Sequence, residues 1–279
     1  MTEKRSFPDL DPPAIAGTTE ALHAYAQVFG SYLEALRPWR KHWWHISLRP
    51  SLNGMTTGVI HAPIDFELEL DPAHSLVYVR TATGVVKGVP LRGQPAAELA
   101  GTISDFLASN GIDLSLIPLQ EPEEELSTTG YSPDVAAQLA VAWRGVGAAM
   151  QAFRSGIREE TSPVQLWPHH FDLAMIWLPG EKIPGEDPDD EESSDKQMNF
   201  GFLFGDSGIP EPYFYITAYP FPQVFPSLPL PPGATWHTKD FHAAVLLYRD
   251  LVNKDDPAAY LLELWNGLLK AGREHLLTK

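Results

Sequence analysis

The spacing of apolar residues in the first part of the chain changes from helical to strand-like. Apolar residues recur every three or four positions from Leu22 to Leu36, which predicts a helix that is capped at Thr18 or Thr19 and ends before Pro38. The period then falls to two, and this alternation predicts a strand over residues 44–49. The elements predicted next are a return strand at 56–61 after an Asn53-Gly54 hairpin turn, strands at 64–70 and 76–81, and a helix opening at Pro95.

The second part of the chain repeats this order of elements. Helical spacing after Pro133 predicts a long helix, and Asp256-Pro257 predicts the start of the last one. Between them the pattern predicts strands at 166–178, 198–204 and 213–219 and a helix that Thr238 caps. Short turns, and not helices, join the strands. The sequence therefore predicts an α+β fold, with mostly antiparallel sheet and helices packed on one face.

The repeated order also predicts how the chain is divided. We expect an N-terminal arm at 1–17, a first α+β half at 18–120 and a second half at 121–279. If the halves arose by duplication, residues 18–110 and 133–253 superpose as related units. The alternative is that both halves show a rhythm of helices and strands that is common among α+β proteins.

The chain is acidic, with a formal net charge of −16 over 279 residues. Such a surface repels phosphate backbones and anionic lipids, so we expect neither a nucleic-acid partner nor a membrane partner. Part of the charge is local, in the run Glu121–Glu125 and in an acidic loop at 181–196. We expect residues 184–196 to be mobile and dispensable, because their carboxylates, glycine and prolines bury too little surface to offset the entropy of ordering.

Several classes of site and location are excluded or disfavoured by what the sequence lacks. The absence of cysteine excludes disulfides, thiolate nucleophiles and thiolate metal sites. The N-terminal residues lack the apolar run of a signal peptide, and no stretch of about 18 apolar residues occurs. We therefore expect a cytoplasmic protein, with 44% hydrophobic residues to build its core.

Three segments of the sequence resemble one bacterial family. They are the run from Trp44 to Gly58, the Leu-Trp-Pro-His-His-Phe-Asp run from Leu166 to Asp172, and the run from Gly205 to Tyr215. Together they resemble the domain-of-unknown-function family 5996, over most of the chain. The resemblance implies no activity, because none is assigned to that family, but it indicates which segments to examine for a site.

The strongest candidate for a catalytic or binding site is the second of these runs, from Leu166 to Asp172. On one continuous strand, His170 and Asp172 would point to the same side with Cα atoms about 6.5 Å apart, close enough to share one ion or ligand. Glu211, or His45 from the first half, would complete a metal or catalytic site, which needs about three protein ligands. The alternative is a structural His–Asp hydrogen bond. We expect His170, Asp172 and Glu211 to converge on one cavity that solvent can reach.

The third run offers a stiff loop followed by tyrosines. Pro210 and Pro212 flank Glu211, and a carboxylate presented so rigidly can act as a general base or a ligand. The alternative is an ordinary hairpin loop. Tyr213 and Tyr215 then share one face of a strand, either as a pocket wall or as a half-exposed sheet surface.

Two functions fit these residues, and whether the protein is an enzyme is left open. The first is a small-molecule or metal-binding protein, with hydrolysis as a candidate reaction and a divalent metal as a candidate cofactor. The second is a non-enzymatic interaction module that docks a partner through the Pro-aromatic segment 219–232.

Arg49 would bind an anionic group or pair with one of the many acids. The sequence does not fix the oligomeric state. The ligand-binding residues predicted for the first function are Trp167, His45, Arg49, Asp206, Tyr213 and Tyr215.

Overall fold

A computed structural model of the protein describes residues 6–115, 119 and 126–277. The chain folds into two units: Met1–Arg144 with Gln165–Phe171, and Gly145–Val164 with Asp172–Lys279. One long helix, α3 (Pro133–Ser155), contributes residues to both. The boundary predicted between residues 120 and 121, and the acidic run Glu121–Glu125, lie outside the described residues.

The first unit is an antiparallel sheet with helices before and after it. Its strands run in the order β1-β2-β3-β4-β5, each paired antiparallel with the next. The tip of the β1–β2 hairpin is the predicted Asn53-Gly54 turn. A separate short strand, β7, adds a backbone bridge between Leu166 and Leu48. The elements are α1 (Pro12–Leu36), β1 (Arg49–Pro50), β2 (Met55–Thr56), β3 (Phe66–Asp71), β4 (Leu76–Thr81), β5 (Val86–Pro90), α2 (Ala96–Ser109) and β7 (Gln165–Trp167).

Alternation along β3 and β4 divides this sheet into a buried face and a solvent-facing one. Phe66, Leu68 and Val79 are buried and lie on the side of α1, where Tyr32 meets Phe66 edge to face with ring centroids 6.3 Å apart. The polar residues between them point to the opposite side, as period-two geometry requires. One-sided packing of the helices was predicted, and this unit confirms it.

Three predictions for the first unit are wrong. The return strand predicted at 56–61 is reduced to β2 and an isolated bridge between Ile60 and Phe66. Helix α1 begins at Pro12, so residues 12–17 are helix and not arm; Thr18 is buried inside the helix and donates to the carbonyl of Gly130 at 3.2 Å. The strand predicted at 44–49 is mostly a turn, which starts as a 3₁₀ turn at Lys41–Trp43. Alternation misled there because residues 45–48 are all buried, polar ones included.

The second unit is built on a larger antiparallel sheet. Its strands lie in the order β6-β8-β9-β10-β12-β11, and α6 packs on the face that carries Phe200 and Phe214. Trp265 of that helix is fully buried, with its ring 6.2 Å from Phe214. Its elements besides α3 are β6 (Glu160–Thr161), β8 (Asp172–Leu178), α4 (Glu191–Ser194), β9 (Gln197–Leu203), β10 (Tyr213–Tyr219), β11 (Ala234–His237), β12 (Ala243–Leu247), α5 (Tyr248–Val252) and α6 (Pro257–His275).

The second unit also corrects two predictions. The strand predicted at 166–178 is two strands, β7 and β8, separated by a turn at 168–171 in which Phe171 is left-handed with φ 57°. The helix predicted after Thr238 is absent from this part of the described chain, where β11 and β12 form a hairpin instead. Buried side chains along β12 explain this, since its run Ala-Ala-Val-Leu-Leu has no polar face for a surface helix.

The order of the strands neither confirms nor contradicts the hypothesis that the two halves arose by duplication. Each unit begins with a helix and continues with strands that pair largely in chain order. The second sheet differs by an extra edge strand, β11, between β10 and β12 along the chain. That the halves are related stays a prediction. None of the described helices combines the length and the apolarity needed to cross a bilayer.

Candidate functional site

Strained backbone marks one region of the first unit. His42 and Trp43 are consecutive left-handed residues with φ of 51° and 56°. Phe171, in a different segment of the chain, is also left-handed, with φ of 57°. Among the described residues, these are three of five non-glycine residues with positive φ. Each such residue costs about 1–3 kcal/mol and persists only where the surroundings hold it, often at functional sites. The segments 41–46 and 168–171, which contain these residues, are therefore candidates for a functional site.

The first of these segments presents a tryptophan to solvent. Trp43 is 40% exposed, and its ring stacks on His45 with centroids 5.7 Å apart. His45 is buried, and its Nδ1 accepts the backbone N–H of Arg40 at 3.3 Å. That bond places the proton of the neutral ring on Nε2. Burial lowers the pKa of His45, which is therefore uncharged at neutral pH.

The second segment adds two more imidazoles. The ring of His169 lies edge-on to Trp43, with centroids 6.5 Å apart, and 4.7 Å from the ring of His170. The side chain of His169 is exposed in part, and burial of the remainder lowers its pKa to about 4, with further lowering from charge on His170 and His23. His170 is exposed and lies in the turn, not on a strand. We call Trp43, His45, His169 and His170 the histidine–tryptophan cluster.

Hydrogen bonds of buried side chains connect residues 42–49 to strand β7. Oε1 of the fully buried Gln165 accepts the hydroxyl of Ser47 at 2.8 Å and also a guanidinium N–H of Arg49. The indole N–H of buried Trp167 donates to the carbonyl of His42 at 3.4 Å. Arg49 and Trp167 were both predicted to bind ligand. Trp167 thus links the strained segment to β7, and Arg49 links β1 to β7.

In the second unit, Asp172 and Tyr215 meet across β9. Tyr215 stands opposite Gly201, and its ring covers that glycine so closely that a Cβ there would lie 2.1 Å from a ring carbon. The Tyr215 hydroxyl donates to Oδ2 of buried Asp172 at 2.5 Å. Burial, together with the charge of Asp172, raises the pKa of Tyr215 well above its ordinary value, so the hydroxyl stays a donor.

The predicted loop residues of this unit also have partners within it. Asp206 accepts the backbone N–H groups of Gly208 and Ile209 at 2.7 Å and the hydroxyl of Tyr213 at 2.6 Å. Glu211 forms an ion pair with Arg249 at 2.7 Å. The carboxylates of this loop are thus engaged in hydrogen bonds and an ion pair within the unit, and the stiffness of the loop stays a prediction.

For the predicted catalytic set His170, Asp172 and Glu211, the argument from a shared strand is wrong, and the convergence of the three side chains is untested. Asp172 begins β8, whereas His170 lies in the preceding turn, so the argument that both point from one strand is wrong. Convergence of His170, Asp172 and Glu211 stays a prediction. Within the described residues, no group of three or more His, Asp or Glu side chains is arranged to hold a metal ion. The geometry thus gives a divalent metal at these residues no support.

Two aromatic residues of the segment 219–232, Phe221 and Phe225, pack against other rings of the second unit. Phe225 is buried, with its ring 5.7 Å from those of both Phe221 and Trp236. The indole N–H of Trp236 donates to the carbonyl of Leu228 at 2.9 Å. A docking role for the segment would therefore depend on its exposed prolines, on Tyr219, which is 41% exposed, and on Val224, which is 38% exposed.

Sequence reasoning missed Trp43 and His42, which define the shape of the cluster. No sequence signal marks two consecutive non-glycine residues as left-handed, because the surrounding packing holds them there.

Comparison with known proteins identifies one family, described as a family of unknown function (DUF5996), which matches residues 7–275. No curated protein and no solved structure matches the chain.

Proposed function

We propose that this chain, which belongs to the DUF5996 family of unknown function, binds a small organic molecule at the histidine–tryptophan cluster of its first unit. The observation that carries the proposal is the left-handed pair His42–Trp43. Backbone strain of about 1–3 kcal/mol at each residue needs a compensating role. Here it holds an indole ring that is 40% exposed, so part of the ring gains nothing from burial.

The chemistry of the cluster favours an uncharged ligand with a planar face. Trp43 offers an exposed aromatic surface for stacking, and aromatic rings add specific geometry to apolar contact. His45 and His169 have lowered pKa values and supply neutral imidazole nitrogens as hydrogen-bond partners. Nearby guanidinium groups already donate to the protein: Arg37 to the carbonyl of Val59 at 3.1 Å, and Arg49 to Gln165.

A fragment titration tests the proposal. Indole, benzamide and benzyl alcohol would be titrated onto the full chain and followed by ligand-observed NMR. We expect at least one of them to bind, and Trp43→Ala to weaken that binding about tenfold or more, since a stacked aromatic contact and its buried area are lost. Tyr219→Ala, which removes a 41% exposed aromatic residue of the second unit, is the matched control and should leave binding unchanged. Equal binding by wild type and Trp43→Ala would contradict the proposal.

A further inference from the structure

The solvent-facing side of the first sheet carries a cavity of about 440 Å³ that is separate from the histidine–tryptophan cluster. Its floor is formed by β3 and β4, where Glu69 stands directly opposite Tyr78 in the strand register. The tip of the β1–β2 hairpin and the β3–β4 turn form its sides. The polar residues that line it are Asn53, Glu69, Asp71, His74, Tyr78 and Arg80.

Close backbone packing fixes one wall of this cavity. Gly54 at the hairpin tip lies so near the end of β3 that a Cβ there would be 2.1 Å from the carbonyl oxygen of Leu70. Only glycine fits at this position. The contact brings the neighbouring Asn53 to Asp71, with its Nδ2 donating to Oδ2 at 3.4 Å.

A histidine–aspartate pair lies at the edge of the cavity. Asp71 is 2% exposed and accepts the backbone N–H of His74 at 3.0 Å. Nδ1 of His74 lies 3.0 and 3.1 Å from the two oxygens of the same carboxylate. A carboxylate accepts only, so Nδ1 carries the proton and Nε2 is the basic nitrogen. The side chain of His74 is 60% exposed, so solvent reaches the ring.

An ion pair supplies hydrogen-bond donors in the same cavity. Arg80 pairs with Glu69 at 2.7 Å, and its guanidinium lies over the ring of Tyr78, 4.8 Å from the centroid. These two contacts restrain a side chain that has five N–H donors in a planar fork. Donors held in place before a ligand arrives stabilise developing negative charge effectively.

From this arrangement we propose that the cavity is a hydrolytic site for small uncharged esters, with His74 as general base and Asp71 as the positioning residue. Nε2 of His74 takes a proton from water as the water oxygen bonds to the ester carbonyl carbon. Arg80 stabilises the oxyanion that forms. The carbon–oxygen bond to the leaving group then breaks, and the proton passes from His74 to the departing oxygen. The products are a carboxylic acid and an alcohol, and water is the only co-reactant.

The chain provides a matched control for this proposal. His61 and Asp65 form a second His–Asp pair in the same unit, with Nδ1 and Oδ2 3.1 Å apart. Their side chains are 84% and 41% exposed, and neither residue lines the cavity. If a surface imidazole near a carboxylate were sufficient for hydrolysis, this pair would contribute as much as His74.

Hydrolysis of p-nitrophenyl acetate by the full chain is the test, measured as release of p-nitrophenolate. We expect wild type to exceed an equal concentration of free histidine. His74→Ala should lower the protein-dependent rate at least fivefold, whereas His61→Ala leaves it unchanged. Asp71→Asn should lower the rate and, in ¹⁵N NMR spectra of the imidazoles, remove the Nδ1–H preference of His74. That tautomer change reports on positioning and not on folding.

Three results would overturn the proposal. They are a wild-type rate no higher than that of free histidine, a rate that His74→Ala leaves intact, and an equal loss in His61→Ala. Because His74 is mostly exposed, its replacement by alanine leaves the core untouched. This test is independent of the fragment titration, since it uses different residues and a different probe.

Discussion

At the scale of single residues, the second unit depends on the absence of a side chain at position 201. The ring of Tyr215 occupies the space where a Cβ of residue 201 would lie, and its hydroxyl reaches Asp172 on the far strand. The hydrogen bond to a buried carboxylate is charge-assisted, and such bonds are among the strong ones in proteins. Gly201 is therefore required by tertiary contact and not by its own backbone angles.

Replacing this glycine should be costly. We expect Gly201→Ala to lower the free energy of unfolding by about 3 kcal/mol, because Tyr215 must move and its hydrogen bond to Asp172 is lost. The control is Gly267→Ala in α6, an exposed position with no atom within 4 Å of the added methyl group. There, the higher helix propensity of alanine should stabilise by about 1 kcal/mol. Urea denaturation of both variants measures the difference, and a neutral Gly201→Ala would refute the packing argument.

At the scale of elements, an ion pair attaches the last helix to the segment before β6. Arg273 of α6 makes two hydrogen bonds to the carboxylate of Glu159, both at 2.7 Å. These bonds lower the pKa of Glu159 from 4.5 to about 2. A carboxylate with a depressed pKa in the folded state adds stability that is present above pH 4.5 and is lost as the pH falls towards 2.

The ion pair predicts a pH-dependent difference between variants. At pH 7, Glu159→Gln should lower the free energy of unfolding by about 1 kcal/mol, a value kept small because both side chains are partly exposed and solvent screens them. The deficit should shrink between pH 4.5 and pH 2, where wild type loses its own carboxylate charge. Glu274→Gln in the same helix is the control, since its contact with Lys270 is 4.0 Å long and exposed. A deficit that persists at pH 2 would show that charge is not its cause.

Elements with solvent on one side were predictable from the sequence. Strand β4 was predicted with the bounds observed, and β10 likewise, because residues along each alternate between the core and the outer face. The Asp256 cap of α6 was also correct, with its carboxylate accepting the N–H of Ala259 at 3.0 Å. The failure at 44–49 arose because burial there continues through the polar residues, so periodicity carries no signal. At 166–178 the exposed His169 and His170 belong to a turn between two buried runs, which the sequence alone did not mark as a break.

At the scale of the whole molecule, the family was recognisable and the partners of its polar residues were not. The match over residues 7–275 confirms the resemblance drawn from three short runs. Pairs such as Tyr215 with Asp172 and Arg49 with Gln165 are more than 40 residues apart in the chain. One sequence gives no signal for such a pair, because many acids and amides are compatible with each tyrosine or arginine. Candidate residues were thus identifiable, whereas their roles required the fold.

The acidic loop links local structure to the charge of the entire chain. Two ion pairs close its neck, Lys182 with Asp195 and Glu181 with Lys196, each at 2.7 Å. The backbone N–H of Ile183 also donates to the carbonyl of Ser194 at 2.7 Å. The last three residues of the predicted 184–196 belong to the neck, so we expect the dispensable part to be 184–193. Mobility of the loop stays a prediction.

Deleting residues 184–193 and joining the ends with a short Gly/Ser linker should change the free energy of unfolding by less than about 1 kcal/mol at 0.15 M salt, because the neck contacts remain. The deletion removes six carboxylates and no basic residue, so the formal net charge changes from −16 to −10. Self-repulsion destabilises a compact acidic protein, and salt screens it. The gain in Tm between 10 mM and 0.5 M NaCl should thus be smaller in the deletion variant than in wild type. A full-length variant with the six acids changed to amides separates charge from length and should show the same reduced gain. An undiminished salt response in both variants would place the repulsion elsewhere on the molecule.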